Sequence, residues 1–160
     1  MENKNIVEDN IIEKNYWHIQ MQYPNGERGL IIDSIKMLED KNPIIAMMEM
    51  DNTQFKNFKN EDGTGLRVGD IILIREEDMI LALCEIKGEC FQDPVLTKKY
   101  RHWNFRYVRI LDWYQGYEKF PQPQGILSKL STRKTKSYKF VDNWYKKLNP
   151  PLNPDNNIQL

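Results

Sequence analysis

The chain has 160 residues, enough for one domain that buries about two-thirds of its unfolded surface, and its 23 Lys+Arg balance 23 Asp+Glu. No run approaches ~18 consecutive apolar residues, and the opening MENKNIVEDNIIEK is acidic and polar, so neither a spanning helix nor a signal peptide is expected. Cys84 and Cys90 are too few for a disulfide framework and suit a reducing compartment, so a soluble cytoplasmic protein with no membrane partner is expected.

In chain order, residues 1–14 place Ile6, Ile11 and Ile12 among charges and read as an N-terminal arm or short helix. NYWHIQMQY (15–23) alternates apolar and polar residues, the two-residue period of a strand, and the Asn25-Gly26 step of PNGERG closes it in a tight turn. LIIDSIKMLEDK (30–41) sets Leu30, Ile31, Ser34, Ile35 and Leu38 at helical spacing, with Pro43 marking its end. PIIAMMEM (43–50) is a short buried strand, and residues 51–65 are a helical turn with a polar loop. RVGD then turns the chain into IILIR, and EED (76–78) separates that strand from MILALCEIKGEC. The two apolar segments form a central hairpin rich in β-branched residues, and its like-charged tip reads as solvated surface.

FRYVRILDWY (105–114) alternates again, with Phe105, Tyr107, Arg109 and Leu111 on one side and Arg106, Val108 and Ile110 on the other. QGILSKLSTRKTKSYKFVDNWYKKL (124–148) opens on a glycine turn, continues as a basic loop and ends as a helix. Tyr138, Val141, Trp144, Tyr145 and Leu148 form that helix's apolar stripe. Residues 149–160, with three prolines and four asparagines, are a flexible tail or linker. The expected fold is therefore a single α+β, mainly β domain over 15–148: a curled mixed sheet or partial barrel with peripheral helices.

The residues that carry chemistry are few. His18 and His102 supply neither a nucleophile–base pair nor converging metal ligands. Cys84 and Cys90, placed on one face of a predicted strand, do not follow a zinc-ribbon pattern. Gly63 and Gly65 are too few for a phosphate cradle. An enzyme is not expected, and neither is a cofactor or metal. Charge is distributed unevenly instead: residues 1–94 hold 19 acids against 10 bases, and residues 95–149 hold 3 acids against 13 bases. The two halves either attract each other or leave a basic face for phosphates. Aromatic residues are interleaved with that basic half, which is the composition of a groove that stacks bases and neutralises phosphates.

The segments YWHIQM, LRVGDIILIREEDMILALCEIKGECFQDP and WNFRYVRILDWY together resemble the EVE branch of the PUA-like superfamily. With GILSKLS and the following WY, they resemble more specifically the N-terminal DNA-recognition domain of McrB-type modification-dependent restriction proteins, relatives of YTH domains. The resemblance covers roughly residues 15–148. It implies a domain that flips a modified, methylated base of a DNA duplex into an aromatic pocket, tethered to a fused AAA+ GTPase motor and a nuclease subunit. Carried over, Trp17 is either core or cage wall and Trp113, with Asp112, is a stacking candidate. The second-strand cage position falls near Ile45 to Met47, where the sequence has no aromatic residue, so Trp103 or Tyr23 substitutes or the pocket is more aliphatic. Asn52 either reads a base edge or caps a turn. Lys98, Lys99, Arg101, Arg106, Lys129, Arg133, Lys134 and Lys136 are the phosphate-binding candidates. The alternative reading is a PUA-like RNA-binding or small-ligand module with no restriction role, and a third is a protein-interaction domain.

Overall fold

In a computed structural model the described residues are 14–21, 31–121 and 124–149. The arm before residue 14, Tyr23, the Asn25-Gly26 turn and the tail from residue 150 lie outside them. Six strands, β1 (Tyr16–Gln20), β2 (Ile44–Met47), β3 (Ile71–Glu76), β4 (Met79–Ile86), β5 (Asn104–Trp113) and β6 (Leu127–Leu130), form a mixed sheet in the order β2-β5-β4-β3-β1-β6. Four helices flank it: α1 (Ile31–Leu38), α2 (Thr53–Lys59), α3 (Pro94–Tyr100) and α4 (Lys136–Leu148). Every neighbouring pair is antiparallel except β1 and β3. Bulges at Ile74/Arg75 and Leu83/Cys84 bend the central strands and curl the sheet. The expected class is the observed one.

The β3–β4 hairpin is the scaffold of this sheet. Gly69, at φ +95°, makes the turn that delivers Asp70 beneath β1. There the Asp70 carboxylate accepts the Trp17 indole N–H at 2.9 Å and the Arg67 backbone N–H at 2.9 Å. Trp17 is 1% exposed, so its one polar atom needs this partner. The Val-Gly-Asp turn and the Tyr-Trp strand are thus two halves of one buried contact.

Both faces of the sheet are covered. On one, Trp17, Ile19, Ile72, Ile74 and Cys84 pack against Leu38 of α1 and Phe55 and Phe58 of α2. On the other, Tyr16, Ile71, Leu73 and Leu83 pack against Phe120 and Val141 of α4. Polar ties seat α4: Tyr16 donates to Asp142 Oδ1 at 2.7 Å, and the Trp144 indole donates to Asp112 Oδ2 at 2.8 Å.

Several expectations need correction. The stretch Pro94–Tyr100, given no element, is helix α3, started by the Asp93 side chain accepting from the Val95 N–H, with Pro94 in its first turn. Part of the basic loop is β6, an edge strand recruited by β1. Cys90 lies beyond the end of β4, so it does not share a strand face with Cys84. Glu76 of the EED run is 7% exposed and accepts the Ser34 hydroxyl at 2.9 Å, so the run is not wholly solvated surface.

Candidate nucleic-acid interface

The register aligns side chains across the sheet in rows. Leu127, Ile19, Ile74, Ala82 and Trp113 lie abreast on β6, β1, β3, β4 and β5. They belong to the α1–α2 face, with Trp113 partly buried at the end of the row. Simple alternation would have put Trp113 on the side opposite Ile110. The bulge at Leu111 removes one residue from the count, so Trp113 and Ile110 share a face. Asp112 consequently points to the other face, where it holds Trp144. The expected Asp112–Trp113 pairing in one pocket is therefore broken: Trp113 remains a candidate and Asp112 is an anchor for α4.

Other candidates separate in the same way. Trp17 and Met47 are buried in the core of the α1–α2 face. Asn52 caps α2, its Oδ1 accepting from the Phe55 N–H at 3.0 Å. Trp103 is 53% exposed, beside the α3 C-cap residue Arg101. Tyr23 lies outside the described residues.

Sequence reading missed Glu76, two residues beyond Ile74 on β3 and on the same face as Trp113. Burial pushes its carboxyl up to about 7, against the opposing hydrogen bond from Ser34. Its parity with Ile72 and Ile74 in IILIRE was the available signal. A buried carboxyl on the face that carries Trp113 can accept or donate a hydrogen bond at a base edge.

Among the cations, Arg106 is excluded from phosphate binding. It is fully buried and donates to the carbonyls of Gly88 and Phe58 at 2.9 Å and also to that of Leu66. Lys99 pairs with Asp40 at 3.0 Å. Arg109 pairs with Glu85 and Lys119 with Asp78, so part of the basic half does neutralise the acidic half. Lys98, Arg101, Lys129, Lys134, Lys136 and Lys139 carry no ion pair among the described residues. Four of these six lie between Lys129 and Lys139, joined there by the exposed Arg133, and residues 119–141 contain no Asp or Glu. The edge strand β6 and the start of α4 thus gather four lysines that carry no ion pair among the described residues.

Beside them, on the α4 face, a recess of about 260 Å³ is lined by His18 and the hydroxyl residues Ser128, Ser131, Thr132, Thr135 and Ser137. His18 was set aside in the sequence for want of a catalytic partner. Burial, then the charge of Arg75, holds its imidazole down at about 3, so it is neutral near pH 7. Among the described residues no group of three or more His, Cys, Asp or Glu is placed to hold a metal ion, and no helix is long and apolar enough to cross a membrane.

These features define a class: a mixed-sheet α+β domain with an aromatic residue and a buried carboxyl on one face and a cationic strand edge beside the other. No family model and no curated protein matches the sequence. Among solved structures, human THYN1 in complex with DNA containing 5-methylcytosine is similar at a TM-score of 0.49 and 11% identity, over 87% of this chain and 100% of that one. Atu2648 of Agrobacterium tumefaciens is similar at a TM-score of 0.45 and 13% identity, over 88% of this chain and 99% of that one.

Proposed function

We propose that the domain binds duplex DNA and reads a modified base, methylated in the simplest case, by taking it out of the stack onto Trp113. The observation that carries this reading is the bulge at Leu111, which aims a partly exposed indole onto the face that also holds Glu76. Extruding a base costs a few kcal/mol, and stacking returns roughly 1–3 kcal/mol per base. The remainder must come from base-edge hydrogen bonds, for which Glu76 and Ser34 are two of the polar groups on that face, and from phosphate contacts. The cationic segment 129–139 supplies the latter. The sequence resemblance to McrB-type recognition domains supports a finer form, in which the domain targets a GTP-dependent restriction motor and its nuclease.

The test compares binding of plain, cytosine-methylated and adenine-methylated duplexes, and of single-stranded RNA, by the wild type and by Trp113→Ala. The reading requires tighter binding of one methylated duplex, with that preference abolished in a variant that keeps its melting temperature and its affinity for plain DNA. Equal affinity for all duplexes would overturn base reading. A preference for RNA would favour the alternative module.

A further inference from the structure

The C-terminal end of α4 and the chain leaving β5 enclose a recess of about 530 Å³. Three rings meet in its wall. Trp144 is T-shaped to Tyr114, with centroids 5.5 Å apart, and to Phe140 at 6.2 Å, while Tyr114 and Phe140 are 6.0 Å apart. The loop after β5 is built around one of these rings. Its Glu118 backbone N–H donates to the Tyr114 hydroxyl at 3.1 Å, and a Cβ on Gly116 would run into the Tyr114 phenol, so the loop closes over the ring only with glycine there. The Trp144 indole is fixed as well, by its bond to Asp112. The aromatic wall is therefore set before any ligand arrives.

Charge adds a second, independent feature. Asp112 and Glu118 both line the recess, and neither carries an ion pair among the described residues. Lys147, exposed on the last turn of α4, is the opposing charge in the lining. Two carboxylates against one ammonium leave a net negative charge, and the end of a 13-residue helix adds the negative pole of its dipole. Aromatic faces attract cations through their quadrupole, Trp most strongly. A guanidinium meets both features at once, because its plane lies on a ring while its N–H groups reach a carboxylate. A further recess, of about 280 Å³, adjoins the first across Tyr114, Gly116 and Glu118. It is lined by half-exposed Met79 and fully exposed Tyr117, and its charged residues Asp78 and Lys119 pair with each other at 3.6 Å. A cation seat beside an apolar seat fits two neighbouring side chains of one peptide better than a small free solute.

We infer that this surface docks an arginine-bearing segment of a partner protein, the guanidinium in the recess walled by Trp144, Tyr114 and Phe140 and paired with Glu118, and an adjacent apolar side chain against Met79 and Tyr117. Asp112 and Trp113 point to opposite faces of the sheet, so the surface lies across the sheet from Trp113. It also lies at the far end of α4 from the lysine-rich edge, about 20 Å away at ~1.5 Å of rise per residue. Partner and duplex can therefore be held together, and the inference does not depend on the nucleic-acid reading.

Indole ¹⁵N–H NMR of the full chain reads the recess directly, since Trp144 gives one of four tryptophan signals. Titration with N-acetylarginine amide should shift Trp144 and leave the buried Trp17 in place. N-acetylcitrulline amide has nearly the same shape without the charge, and it should need at least about ten-fold more for the same shift. Glu118→Gln changes an exposed side chain with no ion pair among the described residues, and it should weaken the arginine response several-fold at an unchanged melting temperature. Of the blocked dipeptides Arg-Leu and Leu-Arg, one should bind several-fold tighter than blocked arginine alone, and Tyr117→Ser should remove that gain. Equal responses to arginine and citrulline, a motionless Trp144, or an unaffected Glu118→Gln would each overturn the cation seat. Free arginine binding tighter than every blocked form would overturn a protein source. Displacement of a bound duplex by the dipeptide would overturn the separation of the two surfaces.

Discussion

At the scale of single residues, two buried titratable groups pull the stability of the protein in opposite directions with pH. Glu76 titrates at about 7 in the fold against 4.5 as its reference. The native state therefore holds its proton more tightly than the unfolded chain does, and the stability linked to this group is present at low pH and lost as pH rises from about 4.5 to about 7. His18 is the reverse case: lowered from 6.5 to about 3, it favours the native state at neutral pH and loses that contribution on acidification. His102, held down at about 4 by burial, has the same sign. Glu76→Gln should be more stable than the wild type at pH 8, by a margin on the order of 3 kcal/mol at most. It should also lose stability more steeply than the wild type between pH 7 and 4.5, because the histidine losses are no longer offset. Urea unfolding at a series of pH values checks both slopes, and parallel curves for the two proteins would place Glu76 in contact with water.

At the scale of elements, the contact between β1 and the turn before β3 is the main polar tie of the scaffold. Asp70→Ala leaves the Trp17 indole N–H buried without an acceptor and is expected to cost roughly 3 kcal/mol. A double-mutant cycle with Trp17→Phe should recover a large part of that loss as coupling energy. Thr135→Ala removes the side-chain cap of α4 and should cost about 1 kcal/mol, read as a lower midpoint with an unchanged denaturant slope.

How legible the elements were follows from the same physics. The hairpin is a pair of apolar runs rich in β-branched residues, β1 is a period-two pattern, and the apolar stripe of α4 is a strong helical one, so all were readable from sequence. α3 is seven residues long with few buried side chains, and its clearest mark is the Asp93-Pro94 start, a capping signal rather than a periodicity. β6 is four residues inside a cationic run and becomes a strand only because β1 offers an edge. The site was less legible than the fold. Trp113 changes face at a bulge that one dimension does not record. Arg106 has the composition of a phosphate ligand and the position of an internal cross-link. His18 acquires meaning only from Arg75, which lies 57 residues away.

At the scale of the whole molecule, the even charge balance is resolved in space. Pairs such as Lys99–Asp40, Arg109–Glu85 and Lys119–Asp78 consume charge locally, and four lysines without an ion pair among the described residues cluster around β6 and the start of α4. Binding to DNA should therefore weaken steeply with salt. Replacing Lys129, Lys134 and Lys136 together by Ala should lower the magnitude of the log K against log[salt] slope by about 2–3, roughly 0.9 per lost phosphate contact. The loss should be the same for methylated and plain duplexes, because phosphate contacts carry no sequence information. An unchanged slope would remove this edge from the interface.

The parallel pairing of β1 with β3, and its antiparallel pairing with β6 on the other side, also sets an order of assembly. The β3–β4 hairpin closes over a two-residue tip and can form early, whereas Tyr16 meets Leu130 across more than a hundred residues of chain. Closing so long a loop is entropically slow, so β1 and β6 should dock late. The recess they frame then exists only in molecules that have finished folding. Solvent access to that recess therefore reports completed folding, where an intact hairpin alone does not.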